Sequence, residues 1–123
     1  MSGPHVLIVD DNALNLQLLS FLLAAHGYEV RTATNATDAQ LALVDALPHI
    51  ILMDVCMPGT DGLTLVRRLK ADPRTRDVPV VAVTASAMKG DAEIARAAGC
   101  DDYITKPIDT RAFPARIANL LKK

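Results

Sequence analysis

The sequence predicts an α/β domain: five parallel strands wound with helices on both faces of the sheet. Three observations carry that expectation. Short apolar runs such as Val6-Leu7-Ile8-Val9, Ile50-Ile51-Leu52-Met53 and Val80-Val81-Ala82-Val83 are unbroken, as strands buried on both faces are. These runs alternate with helix-length segments through short connections, and the strand–helix unit occurs five times. A parallel pair needs a long crossover, and such crossovers are right-handed, so helices cover both faces. Finally, half the residues are apolar but only 3% are aromatic, so Leu, Val, Ile and Ala must build the core.

In chain order, Val6 to Val9 form the first strand. Asp10-Asp11-Asn12 follow, and a helix runs to His26 with Gly27 at its C-terminal cap. Tyr28 to Ala33 is the second strand, by its β-branched and aromatic content. Asn35-Ala36-Thr37-Asp38 resembles a capping box with Asp in the N3 place and opens a helix through Ala46. Pro48 ends that helix, and the central strand starts near His49 and closes on Asp54. Leu63, Val66 and Leu69 recur at helical spacing with Arg67, Arg68 and Lys70 between them, until Asp72-Pro73 stops the third helix. Pro79 leads into the fourth strand, which ends at Thr84. A helix over about Ala87 to Ala98, closed by Gly99, has few large apolar residues beyond Met88 and Ile94 and should be the least firmly held. Tyr103 to Thr105 is the last strand. The final helix runs from after Asp109 to Leu121, but Pro114 removes an N–H and crowds the carbonyl four residues back, so its start should be late or distorted.

The 123 residues suit one domain, residues 1–123, with one substantial core. Thirteen basic against fourteen acidic residues give a net charge of -1. That balance excludes a sequence-independent nucleic-acid binder, which needs a basic face. No apolar stretch approaches the ~20 residues of a membrane span, and the first residues do not form a signal peptide. Cys56 and Cys100 have neither metal-ligand spacing nor the number of a disulfide framework, and fit two reduced thiols in the cytosol. His5, His26 and His49 are scattered, with no recognisable partners, and are taken as structural or surface residues.

Chemistry gathers at the strand ends. In an open parallel sheet, ligands collect beyond the carboxyl ends of the strands. Asp10-Asp11 could simply cap the following helix, but Asp54 ends a neighbouring strand. Three carboxylates converging there repel one another, and a hard divalent cation relieves the conflict. Mg²⁺ is typically bound by one or two carboxylates plus a phosphate while keeping several waters. Asp54 is then the candidate phosphate-accepting nucleophile. Lys106, leaving the last strand, can neutralise an incoming phosphoryl group, and the Thr84 hydroxyl can donate to a phosphoryl oxygen.

Taken together, these residues resemble the receiver domains of two-component response regulators across essentially the whole chain. The matching segments are Val6 to Asn12, Ile51 to Gly62, Val81 to Ala85 and Tyr103 to Pro107. The run from Val83 to Asp91, with Gly99-Cys100, is most similar to single-domain regulators of the DivK and CheY type, and to receivers fused to hybrid histidine kinases. The resemblance implies a flavodoxin-like strand order of 2-1-3-4-5 and a cytoplasmic signalling protein in a phosphorelay, in some relatives one of cell-cycle control. It implies that Asp54 is phosphorylated by a phosphohistidine of a sensor kinase or phosphotransfer protein. Asp10, Asp11, Asp54 and the backbone carbonyl of Cys56 would hold Mg²⁺, for which Mn²⁺ can substitute. Lys106 would pair with the phosphoryl group, and Thr84 and Tyr103 would form the switch pair. The chain departs from the pattern at Thr60, where many members carry Met, and has Cys56 at a variable position. Cys56 and Ser86 would flank the path of an attacking water and bear on the lifetime of the phosphoryl group.

Two other functions compete with this one. A Mg²⁺-dependent phosphohydrolase using an aspartyl-phosphate needs a second Asp two residues after the nucleophile, where this chain has Cys56. A flavin-binding module would need a flavin-phosphate loop, and none is evident. The chain should therefore act as a switch and not as a turnover enzyme. It would signal through protein targets, without nucleic acid or membrane, either alone or as one piece of a larger protein.

Helix 1 has more apolar surface than a core requires. Leu18, Leu19, Leu22 and Leu23 share one side, Leu14, Phe21 and Ala25 extend it at one edge, and Leu16 extends it at the other. The arc is about twice the ~100° stripe a surface helix buries. Leu14 lies one turn from Asp10-Asp11, so Leu14 and Phe21 should be partly exposed and form a docking edge for the phosphodonor.

Overall fold

The computed structural model describes residues 3–54, 62–84, 91–105 and 111–121. The strands are β1 (His5–Val9), β2 (Glu29–Ala33), β3 (Ile50–Asp54), β4 (Val80–Thr84) and β5 (Asp102–Thr105). They alternate with helices α1 (Ala13–Ala25), α2 (Ala36–Asp45), α3 (Gly62–Ala71), α4 (Asp91–Ala98) and α5 (Phe113–Leu121). All pairings are parallel and the sheet order is β2-β1-β3-β4-β5, as expected.

Side chains alternate across the three inner strands. Val6, Ile8, Ile50, Leu52, Val81 and Val83 pack with Leu16, Leu19 and Leu23 of α1 and Phe113, Ile117 and Leu120 of α5. Leu7, Val9, Ile51, Met53, Val80 and Ala82 face the opposite layer, with Ala39 and Leu43 of α2, Leu65, Val66 and Leu69 of α3 and Ala95 and Ala98 of α4. Inner strands covered on both faces have no polar side, which is why their sequences lack alternation. β2, at the edge, is mostly exposed.

Local chemistry sets the helix ends. Asn12 caps α1, its side-chain oxygen accepting from the N–H groups of Leu14 and Asn15. Asn35 caps α2 by accepting from Asp38 N–H at 2.8 Å, the N-cap half of the expected box, while the Asp38 carboxylate accepts from the Asn35 side-chain amide instead of its backbone N–H. α1 and α4 both close on a left-handed glycine, Gly27 at φ 88° and Gly99 at φ 112°. In each case the next residue donates back five positions, Tyr28 to Leu23 and Cys100 to Ala95, the pattern glycine permits without strain. The late start of α5 is observed. The helix begins at Phe113, so Pro114 falls in the first turn, where its missing N–H costs nothing.

Some expectations are corrected. The buried stripe of α3 is Leu65, Val66 and Leu69, with Leu63 only partly buried. Lys70, which the spacing places between the apolar positions of that helix, is folded inward and donates to the carbonyls of Arg76 and Val78 and to the Asp101 carboxylate. Nor are His5 and His49 without partners. His5 N–H donates to His49 Nδ1 at 2.9 Å, the rings stack, and His5 lies 3.4 Å from Glu29. The sheet makes neighbours of strand starts that are 44 residues apart in sequence. The expected beginning of helix 4 at Ala87 lies outside the described residues, as does Asp109.

Candidate functional site

Strand register assembles the site. Val9 pairs with Met53, so Asp10 and Asp54 stand side by side at the carboxyl edge of β1 and β3. Asp54 pairs with Val83, which sets Thr84 one residue further along β4, and Thr84 pairs with Thr105 of β5. Asp10 and Asp54 share the parity of Ile8 and Leu52 and so one side of the sheet.

The carboxylates of Asp10, Asp11 and Asp54 each offer an oxygen within 4.8 Å of the others. Asp10 and Asp54 are only 1% and 5% exposed, Thr84 is likewise buried, and Asp11 reaches solvent. Two buried carboxylates beside a third, all oxygen donors and one of them open to water, fit a hard, partly hydrated cation. Asp10 also orients the loop, accepting the Asn12 N–H at 2.9 Å. The helix-capping role open to Asp10-Asp11 belongs instead to Asn12. Sequence reasoning passed over Asn12, though an Asn directly before a run of helix formers was the signal.

Four of the sequence-predicted residues therefore converge at this edge: Asp10, Asp11, Asp54 and Thr84. Tyr103 lies two positions before the end of β5, half-buried against the α2–α4 layer of the core. Lys106, the Cys56 carbonyl, Thr60 and Ser86 lie outside the described residues. On α1, the excess apolar arc resolves into a buried stripe of Leu16, Leu19 and Leu23 and an outward set. Leu14 is 75% and Phe21 74% exposed, with Leu18 beside them, so the expected exposed edge is present. No described helix is long and apolar enough to cross a membrane.

Cys100 is a free, buried thiol at the start of the loop into β5. Burial first, and then the neighbouring Asp101 carboxylate, push its pKa from 9.0 to about 11, against the pull of Lys70. It is far from a nucleophile at neutral pH.

Known proteins are similar to this chain. Residues 6–118 match the response regulator receiver domain family. The chain is 44% identical over 120 residues to the response regulator PleD of Caulobacter vibrioides, covering 98% of this chain but only 26% of that protein. It is 43% identical over 116 residues to the polar-differentiation response regulator DivK of Brucella anthropi, covering 94% of each. Among solved structures it superposes with a TM-score of 0.90 on the receiver domain of the sensor histidine kinase PA1611 from Pseudomonas aeruginosa. The two are 30% identical over 99% of this chain and all of that one, whose active-site cleft holds a coordinated magnesium ion. With the strand order, the acidic edge and a family match over nearly its whole length, the chain belongs to the receiver domains of two-component response regulators, the phosphoacceptor domains of that signalling system.

Proposed function

We propose that Asp54 accepts the phosphoryl group, and that residues 1–123 work as one switch domain. The approach of the Asp10, Asp11 and Asp54 carboxylates to within 4.8 Å carries this proposal. A carboxylate oxygen of Asp54 attacks the phosphorus of a phosphohistidine. The new P–O bond forms as the P–N bond breaks, and the departing imidazole keeps the electron pair and takes a proton from solvent. Asp10, Asp11, Asp54 and the Cys56 carbonyl would hold Mg²⁺, or Mn²⁺ in its place. Bound there, the ion would offset the clustered negative charge of carboxylates and phosphoryl oxygens. Lys106 pairs with the phosphoryl group and Thr84 donates its hydroxyl to it. Thr84 and Tyr103 then report the added charge to the protein surface as the switch pair.

The phosphodonor is a sensor histidine kinase or a histidine phosphotransfer protein, held at the exposed edge formed by Leu14 and Phe21. Leu14 is the second residue of α1 and its N–H is fixed by Asn12, so an apolar contact here sets a donor imidazole beside the crevice. Protein targets receive the signal. The domain is a switch without turnover on a separate substrate, since Cys56 replaces the general acid of an aspartyl-phosphate hydrolase.

Labelling from acetyl phosphate tests the assignment. Uptake is expected only with Mg²⁺ or Mn²⁺, and is expected to vanish in Asp54→Asn, a nearly isosteric change that leaves the fold intact. Full labelling of Asp54→Asn, or labelling indifferent to EDTA, would overturn it.

A further inference from the structure

The exposed apolar residues of α1 are absorbed by donor docking, but a second set lies in the other helix layer. Leu41 is 63% and Val44 71% exposed, and Leu47 follows just beyond the helix. Leu41 and Val44, at i and i+3, form one ridge along α2, whereas Leu47 lies past the extended Ala46 cap and lines a separate pocket with His5, Arg31 and Pro48. Beside the ridge, α2 and α3 part to leave an open groove of about 270 Å³ lined by Gln40, Leu43, Val44, Arg68, Leu69 and Arg74, among others. Leu43 and Leu69 are buried and give it an apolar floor.

The far wall carries Arg68 and Arg74 against Asp72. Between Arg67 and Asp77 five basic residues stand against two acidic ones, in a chain of net charge -1. Two of the five are committed within the fold. Lys70 bonds Asp101 and two carbonyls, and Arg74 donates to the carbonyls of Leu43 and Val44 at the end of α2. Arg67, Arg68 and Arg76 are exposed and make no ion pair among the described residues. Asp72, also on the groove, has one carboxylate oxygen on the Arg74 N–H.

We infer that the α2–α3 face, the ridge Leu41 and Val44 with the adjoining groove and Arg68, docks an acidic amphipathic helix of a partner protein. Charge complementarity selects the partner. The exposed Arg68 guanidinium on the groove, in a segment that also carries Arg67 and Arg76, matches a helix with Leu or Ile along one stripe and Glu or Asp along the next. The apolar ridge disfavours a nucleic-acid backbone. This face is in the helix layer opposite α1, so a partner could bind it while the phosphodonor occupies its own edge.

The probe is a synthetic peptide of about four helical turns, with Leu on one stripe and Glu on the adjoining one, and a counterpart with Lys for Glu. In ¹⁵N spectra of the full chain the Glu peptide is expected to shift the amides of Leu41, Val44 and Arg68, and the Lys peptide to bind at least about tenfold more weakly. Arg68→Glu is expected to reverse that preference and Val44→Ser to weaken both peptides, while both variants keep labelling by acetyl phosphate. Equal binding of the two peptides, shifts confined to Leu14 and Phe21, or no binding would overturn the inference. So would self-association of the chain through this face, or binding of poly(U) at Arg67, Arg68 and Arg76 without peptide binding.

Discussion

Leu14→Ser separates donor docking from phosphoryl chemistry. Leu14 is 75% exposed, so the substitution removes little from the core, and its N–H bond to Asn12 at 2.9 Å is a backbone contact that Ser retains. Fully burying a leucine side chain contributes about 1.5–3 kcal/mol relative to leaving it exposed. Three-quarters of that surface is still open in the free domain, so docking can draw on about 1–2 kcal/mol, or roughly a 5–30-fold loss in kcat/KM when the side chain is truncated. The assay is transfer from a phosphorylated histidine phosphotransfer protein, run beside labelling by acetyl phosphate, with thermal unfolding as a check on the fold. Transfer from the protein donor is expected to fall by that factor, with acetyl phosphate labelling and the melting temperature unchanged. Val44→Ser, equally exposed but in the opposite helix layer, is expected to leave both rates as they are. If Leu14→Ser slows both phosphodonors together, Leu14 serves the site or the fold itself and the docking assignment is refuted.

Further outcomes follow from other contacts. Lys70→Met strips the ammonium from two carbonyls and from Asp101. Because Lys70 is 20% and Asp101 42% exposed, water recovers part of the loss. About 2 kcal/mol of stability and roughly 6–10 °C in Tm are expected, and a double-mutant cycle with Asp101→Asn that shows no coupling would refute the clasp. Asn35→Ala removes the cap of α2 and should cost about 1 kcal/mol in urea unfolding. The Cys100 pKa is raised from 9.0 to about 11, so the folded state holds its proton more tightly than the unfolded chain. Its contribution is complete below pH 9.0 and is lost as pH rises toward about 11. The stability of the parent should therefore fall more steeply than that of Cys100→Ala over that interval, and parallel pH profiles would count against a thiol held neutral by burial.

The sequence by itself determined the elements and much of the site. Apolar runs and helical spacing are local patterns, written in neighbouring residues. Asn35 and Asp38 lie within one turn of each other, so the cap of α2 was legible, as were Gly27 after α1 and the late start imposed by Pro114. The acidic edge was legible because strands of a parallel sheet end together, so residues that close different strands meet at one edge without any knowledge of strand order. The order itself came only from resemblance to a family, since periodicity tells which face a side chain takes and not which strand lies alongside.

Tertiary structure decided what depends on that adjacency. β1 beside β3 joins His5 to His49, and the packing of α3 against the loop before β5 turns Lys70 inward to Asp101. Neither pair has a local signature, because each is separated by tens of residues and is united only by the sheet. The same holds for α1, whose sequence offered more leucines than one core face can take. Contact with β1, β3 and α5 chose Leu16, Leu19 and Leu23 for burial, and that choice left Leu14 and Phe21 in water.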